Sequence, residues 1–277
     1  MIIDTQDIKG YYSLMSNALL IIDPQNDFSD PKGSLYVPGA KEDCGRIADF
    51  INKNASKINA IHITLDSHPT YHIAHPHFWV DENGNQPAPY TIITHQDYVK
   101  GLYRPSDSSL EKKAEEYILA LENRGRYNLC IWPPHCLTAT WGYCVEDQVW
   151  EAAHKWEIEN KGTNIEYVKK ALNPFTEHYS AIQAEVPDSN DPSTRTNFTF
   201  IDKLKEFEHI IIVGEALSHC VANTVRDLSV YIPPYRMIIL TDCASNVAGF
   251  EQLGKDFINE YRAKGVQFVD SKTLILD

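Results

Sequence analysis

Cys220 closes the stretch GEALSHC, residues 214–220, shortly after a run of four β-branched residues, Ile210 to Val213. A free thiol has a pKa of about 8.5, so a nucleophilic cysteine needs a base, a cation or a helix N-terminus beside it. Val221, Val225 and Leu228 recur at helical spacing after it, which places the thiol in the first turn of a helix. Taken alone, a free cysteine is more often a buried core thiol. Two further groups supply what a nucleophile requires: Asp23 in DPQNDF offers a proton carrier, and Lys169 or Lys170 an ammonium that stabilises a thiolate. A second chemistry is concentrated in HITLDSHPTYHIAHPH, residues 62–77, which holds five of the eleven histidines. Asp66 and His68, two apart after a strand-like run, can face one way and share a metal with His135 of WPPHC. A carboxylate with imidazoles suits Zn²⁺, Fe²⁺ or Mn²⁺, and spacing does not choose among them. His62 lies inside the strand-like run and is expected to pack there, whereas His75 and His77 read as loop residues.

These groups need elements to position them. Short β-branched runs recur at 18–23, 58–66, 128–132, 164–168, 209–216, 236–242 and 266–270, several of them continuously apolar, as strands buried on both faces are. Helix-like segments lie between them at 40–53, 108–123, 145–158, 198–207, 220–230 and 251–264. The alternation predicts the α/β class: a central, mostly parallel sheet with helices on both sides, a three-layer α/β/α sandwich. Sites in such sheets form beyond the carboxyl ends of the strands. Asp23, Asp66, Trp132, Lys169 with Lys170, and Cys220 would all fall there, after the first five runs. Two stretches rich in turn formers, 81–90 and 184–197, read as insertions, and no internal repeat is visible.

Composition narrows the partners. A chain of 277 residues with 43% hydrophobic and 23% charged residues is read as one domain over 1–277. It has no apolar run near the roughly 18 residues a membrane span requires. A net charge of −13 argues against a nucleic-acid backbone or an anionic membrane as the main partner and leaves a small molecule. Six scattered cysteines are too sparse for a disulfide framework and read as reduced thiols. The first dozen residues lack the basic start and apolar core of a secretory signal, so the expected location is cytoplasmic. Homo-oligomerisation stays open.

Together these residues resemble the nicotinamidase branch of the isochorismatase-like cysteine hydrolases. LLIIDPQNDF looks like the family's first motif, whose aspartate, Asp23 here, carries protons. DSHPTYH is similar to the D-x-H-P-x-x-H metal motif and matches at Asp66, His68 and His72. WPPHC resembles the stretch supplying a further metal-binding histidine, His135, and an aromatic substrate wall, Trp132. KALNPFTEHYSA resembles the lysine motif, and its spacing to Tyr179-Ser180 selects Lys170 over Lys169. GEALSHC resembles the segment carrying the nucleophile. The motifs occur in family order across about residues 18–230. Departures are Ala171 where glycine is usual, Ser67 where an aromatic is common, Glu215 where the residue is usually apolar, and extra length between 79 and 128.

The resemblance implies the isochorismatase-like hydrolase fold, one divalent metal with zinc first and iron or manganese next, and hydrolysis of nicotinamide to nicotinic acid and ammonia in NAD salvage. It implies that Asp23, Lys170 and Cys220 carry the chemistry through a thioester. The backbone N–H groups of Ala216 and Cys220 would form the oxyanion hole, across a cis peptide between Glu215 and Ala216. Phe28 and Trp132 would hold the flat ring, Asp66, His68 and His135 the metal, with His72 a further ligand candidate. His219 is expected to face away from the nucleophile. The competing readings are a metal-free cysteine amidase for N-carbamoyl or maleamate-like amides, a vinyl-ether hydrolase, and a non-catalytic binding protein on the same fold.

Overall fold

The computed structural model describes residues 15–276; the N-terminal segment read for a secretory signal lies outside the described residues up to Tyr12, as does Asp277. Six strands form the central sheet: β1 (Met15–Ile22), β2 (Ala60–Asp66), β3 (Glu166–Lys170), β4 (Phe207–Gly214), β5 (Met237–Leu240) and β6 (Gln267–Val269). Every pairing is parallel and the order is β6-β5-β4-β1-β2-β3. The chain therefore leaves β1 toward one edge and later returns to its other side through β4. That reversal opens a crevice beyond the carboxyl ends of β1 and β4, where ligands bind in open parallel sheets.

Alternation along the strands sorts two apolar layers. Leu19 and Ile21 of β1, Ile61, Ile63 and Leu65 of β2, and Ile211 and Val213 of β4 pack against helices α1 (Ala40–Asn54) and α3 (Asp147–Glu159), with buried Trp156 of α3 in the same layer. Ala18, Leu20, Ile22, Ile210 and Ile212 face the other way, onto α2 (Glu111–Arg124), α4 (Phe198–Leu204), α5 (Ala222–Leu228) and α6 (Glu251–Ala263). Burial on both faces explains why these strands read as continuous apolar runs rather than alternating ones. The outcome is the three-layer α/β/α sandwich expected from the sequence. No helix among the described residues is long and apolar enough to cross a membrane.

One expected strand does not join the sheet. In the 128–132 run only Leu129–Cys130 pairs, antiparallel to Ile92–Ile93 in a separate two-stranded ribbon. The ladder stops because Pro133 and Pro134 follow and carry no N–H to extend it. Trp132 and His135 still reach the sheet's carboxyl edge by another route. Trp132 N–H donates to the Ala74 carbonyl at 2.7 Å, and His68 pairs with Leu137 in an isolated parallel bridge.

Candidate active site

Lys170 is the last residue of β3 and stands opposite Asp66 in the β2–β3 register. Strand alternation sends Lys169 outward and Lys170 inward, where it is 2% exposed. Its Nζ lies 2.9 Å from Asp23 Oδ2, 3.1 Å from Asp66 Oδ1 and 3.6 Å from Cys220 Sγ. One buried ammonium thus joins residues that follow or end β1 and β2 to the cysteine beyond β4. Asp23 itself has a left-handed φ of 43°, and Thr64 Oγ1 donates to Asp23 Oδ1 at 2.6 Å while accepting from Asp23 N–H at 3.0 Å. Thr64 lies two residues before Asp66 and so shares its face of the strand.

Burial pushes the Asp23 carboxyl up, more than the Lys170 charge pulls it down. Burial pushes the Cys220 thiol well above its ordinary value in the same way, opposed by Lys170 and assisted by Asp23. Burial alone would raise Asp66, but the His68 ring and Lys170 hold it well below the usual carboxylate range. Despite burial, the two carboxylates keep Lys170 firmly protonated.

The loop after β1 explains the rest of DPQNDF. Gln25 brackets Asp66: its Nε2 donates to the Asp66 carbonyl at 2.8 Å and its Oε1 accepts from Asp66 N–H at 2.7 Å. Asp27 Oδ2 accepts from Cys136 N–H at 2.7 Å, tying the His135 loop to the β1 loop. Gly142 has to be glycine for this, since a Cβ there would sit 2.0 Å from Asp27 Oδ2.

Asp66, His68 and His135 form a cluster whose ligand atoms lie within 4.8 Å of one another. Asp66 Oδ2 is 3.0 Å from His68 Nε2 and 3.3 Å from His135 Nε2. His135 Nδ1 faces the Pro133 carbonyl at 2.8 Å, which requires the proton on Nδ1 and turns Nε2 toward Asp66. This buried set of one carboxylate and two imidazoles fits a divalent transition metal. His72 is differently engaged. Its Nδ1 accepts from Ala74 N–H at 3.2 Å and its Nε2 faces the Thr176 carbonyl at 3.2 Å, so both ring nitrogens are spent on backbone. His62 packs in β2 against Glu166, as expected, and His77 is exposed. His75 is a loop residue but is wholly buried.

Cys220 lies in a single π-helical turn, Leu217–Val221, ahead of α5, closed by Val221 N–H onto the Ala216 carbonyl at 3.1 Å. The expected helix over 220–230 therefore begins with a wider turn, a form that recurs at functional sites. The Glu215–Ala216 peptide is cis. Gly214 precedes it with φ 104°, where a Cβ would lie 2.1 Å from the Ile22 carbonyl oxygen. Among the described residues Ala216 N–H donates to no protein acceptor, so it is free for a ligand.

Glu215 turns away from the thiol. Its Oε2 accepts from Ser245 N–H at 3.1 Å, and Ser245 Oγ donates to Asp43 Oδ2 at 2.5 Å, on α1 at the opposite face of the sheet. Burial and the Asp43 charge push its carboxyl well above the ordinary range, which favours the protonated form, and its contacts hold the turn rather than place a second anion beside the sulfur. Ala171 takes φ 61°, the left-handed conformation a glycine would adopt more readily.

Phe28, Trp132, Ala216 and Cys220 line one pocket together with Asp66 and His135. Sequence reasoning missed Glu177, Tyr179 and His219 in its wall. Trp132 Nε1 donates to Tyr179 Oη at 2.9 Å, fixing the indole. His219, expected to face away, instead lines the pocket, stacked on Tyr127 at 5.3 Å; burial lowers its pKa to about 3, so the ring is neutral.

Sheet order, layering and the position of this cluster define a protein of the isochorismatase-like hydrolase fold. No family model matches the chain. It is 28% identical to a nicotinamidase of Saccharomyces cerevisiae over 257 residues, which are 91% of this chain and 98% of that relative. Among solved structures it resembles the yeast nicotinamidase, with a TM-score of 0.64 at 23% identity covering 92% of this chain and 99% of that one. An Acinetobacter nicotinamidase/pyrazinamidase matches with a TM-score of 0.63 at 21% identity, covering 95% and 100%. The pyrazinamidase of Pyrococcus horikoshii, in complex with zinc, matches with 0.54 at 19%, covering 92% and 99%.

Proposed function

We propose that this chain is a metal-dependent cysteine amidohydrolase that converts nicotinamide to nicotinic acid and ammonia, a step of NAD salvage. The observation that carries the reading is Lys170, whose ammonium touches Asp23, Asp66 and Cys220 beneath one aromatic pocket. Likeness to a nicotinamidase over nearly the whole of both chains supports the choice of amide. The reading takes residues 1–277 as one hydrolase unit, with the stretches near 79–128 and 184–197 as insertions on it.

In this reading Asp23 takes the Cys220 proton. Burial raises both groups, and Lys170 sits within reach of either anion, so the proton moves between them without creating an unpaired charge. The thiolate attacks the carboxamide carbon, and the oxyanion accepts from the N–H groups of Ala216 and Cys220. Asp23 returns its proton to the leaving nitrogen, ammonia departs, and a thioester remains. Water then adds to the thioester carbon, giving up its proton to Asp23, and the acid leaves as the thiol is restored. Phe28 and Trp132 hold the ring. Asp66, His68 and His135 would hold a divalent ion, zinc first among the candidates, which when bound supplies a Lewis-acid contact for the pyridine nitrogen. A metal-free amidase would have no use for that trio.

The test is ammonia release from nicotinamide and a panel of small amides, with metal content measured on the same samples. Cys220→Ala is expected to abolish turnover while keeping the fold, and Asp66→Ala to lose bound metal. Substantial ammonia release by the first variant, or full metal content in the second, would sink the reading.

A further inference from the structure

His68 is flanked on its two sides by different chemistry. Nε2 faces Asp66, but among the described residues Nδ1 has no hydrogen-bond partner, and neither ring nitrogen of His75 has one. Both residues are buried, at 1% and 0% exposure, and their ring centroids are 4.8 Å apart at 53°. Buried polar groups without partners are rare and call for an explanation. A metal-ligating imidazole nearly always donates its other N–H to an acceptor, which fixes its tautomer and aims the remaining lone pair. Within this group of four clustered imidazoles, His135 has Nδ1 on the Pro133 carbonyl and Nε2 beside Asp66, and His72 has both nitrogens on backbone. His75 alone has both ring nitrogens unspent, and nitrogens of His68, His72 and His75 lie within 4.8 Å of one another.

We propose that His75 is the positioning residue for the metal ligand His68: it accepts a hydrogen bond from the Nδ1–H of His68 across one bridging water, and so holds the Nε2 lone pair toward Asp66 and His135. An imidazole thereby fills the role that a carboxylate or carbonyl usually fills. The inference rests on the reading that Asp66, His68 and His135 hold a divalent ion.

The experiment is Zn²⁺ and Co²⁺ binding to the metal-stripped full-length chain by chelator competition, with the Co²⁺ absorption spectrum and the melting temperature of the stripped protein taken on the same samples. His75→Phe, with His75→Leu as a second apolar variant, is expected to weaken binding about 10–100-fold and shift the Co²⁺ bands. The stripped protein's melting temperature is expected to hold or rise, because two unpaired buried nitrogens are removed. His75→Asn and His75→Gln place a carboxamide oxygen near Nδ1 or Nε2, and one of them is expected to recover most of the affinity. Wild-type affinity in the apolar variants overturns the role, and so does an equal loss in all four. Asp66→Ala separates the two readings. Unchanged affinity there removes the metal site itself, whereas lost affinity there with wild-type affinity in His75→Phe removes only the part assigned to His75.

Discussion

Lys170 concentrates the electrostatics of the site in one side chain. Two buried carboxylates and a thiol share its charge, and removing one partner from a buried ion pair costs about 3–5 kcal/mol because the remaining charge is stranded. Lys170→Met is therefore expected to lower ammonia release by at least about 10²-fold, in line with the loss of a single transition-state charge contact, and to lower unfolding free energy by several kcal/mol. Denaturant titration beside the activity assay checks both; an active variant of unchanged stability would contradict the assignment. Glu215 gives the opposite case. Burial and Asp43 favour its protonated form, which glutamine resembles, so Glu215→Gln is expected to change stability by less than about 1 kcal/mol. Glu215→Ala removes the acceptor for Ser245 N–H and is expected to cost about 1–3 kcal/mol, read by thermal unfolding. At this scale the sequence displayed Asp23, Asp66, His68, Lys170 and Cys220, since each ends or closely follows a strand that is visible as an apolar or β-branched run. Glu177 and Tyr179 were hidden, because a loop residue's burial depends on what packs over it and leaves no period in the sequence. For Glu215 the residue type was plain but its direction was not; only the approach of α1 shows that the carboxyl meets Asp43.

Elements bring these residues together in two ways. β1, β2, β3 and β4 deliver Asp23, Asp66, Lys170 and Cys220 through sheet register, which was legible because β1, β2 and β4 are buried on both faces and β3, at the sheet edge, still reads as a short β-branched run. His135 and Trp132 arrive instead on a loop that Pro133 and Pro134 keep out of the sheet. Its placement rests on Asp27, the His68–Leu137 bridge and the close approach of Gly142. The motif WPPHC was legible, but its support was not, because contacts between residues far apart in the chain leave no local pattern. Gly142→Ala tests this support. The added methyl would overlap the Asp27 carboxylate, and such overpacking typically costs about 1–3 kcal/mol. The expected outcome is a lower melting temperature together with weaker metal retention, since the loop that moves carries His135. A variant that melts earlier but retains metal as tightly as the parent would show that His135 is held by other contacts.

Across the whole molecule the acidic excess reaches the interior as well as the surface, and Glu185 shows its consequence for stability. This residue opens beyond the lysine motif in the stretch read as an insertion, yet it is 1% exposed and neither carboxylate oxygen has a hydrogen-bond partner among the described residues. Burial raises its pKa to about 7, against the pull of Arg126 and Arg124 and with the help of Asp227 and Glu177. The folded chain thus keeps a proton up to about pH 7 that the unfolded chain releases near 4.5. Between those values the folded state binds more protons, so stability falls as pH rises, and the loss is complete once the folded group has ionised. A shift of this size corresponds to roughly 3 kcal/mol at 1.36 kcal/mol per pH unit. Glu185→Gln keeps the shape and removes the ionisation. The variant and parent are expected to melt together near pH 4.5, with the variant ahead by on the order of 5 °C at pH 8. A difference independent of pH, or one that grows toward acid, would show that Glu185 is not the buried proton holder its surroundings define.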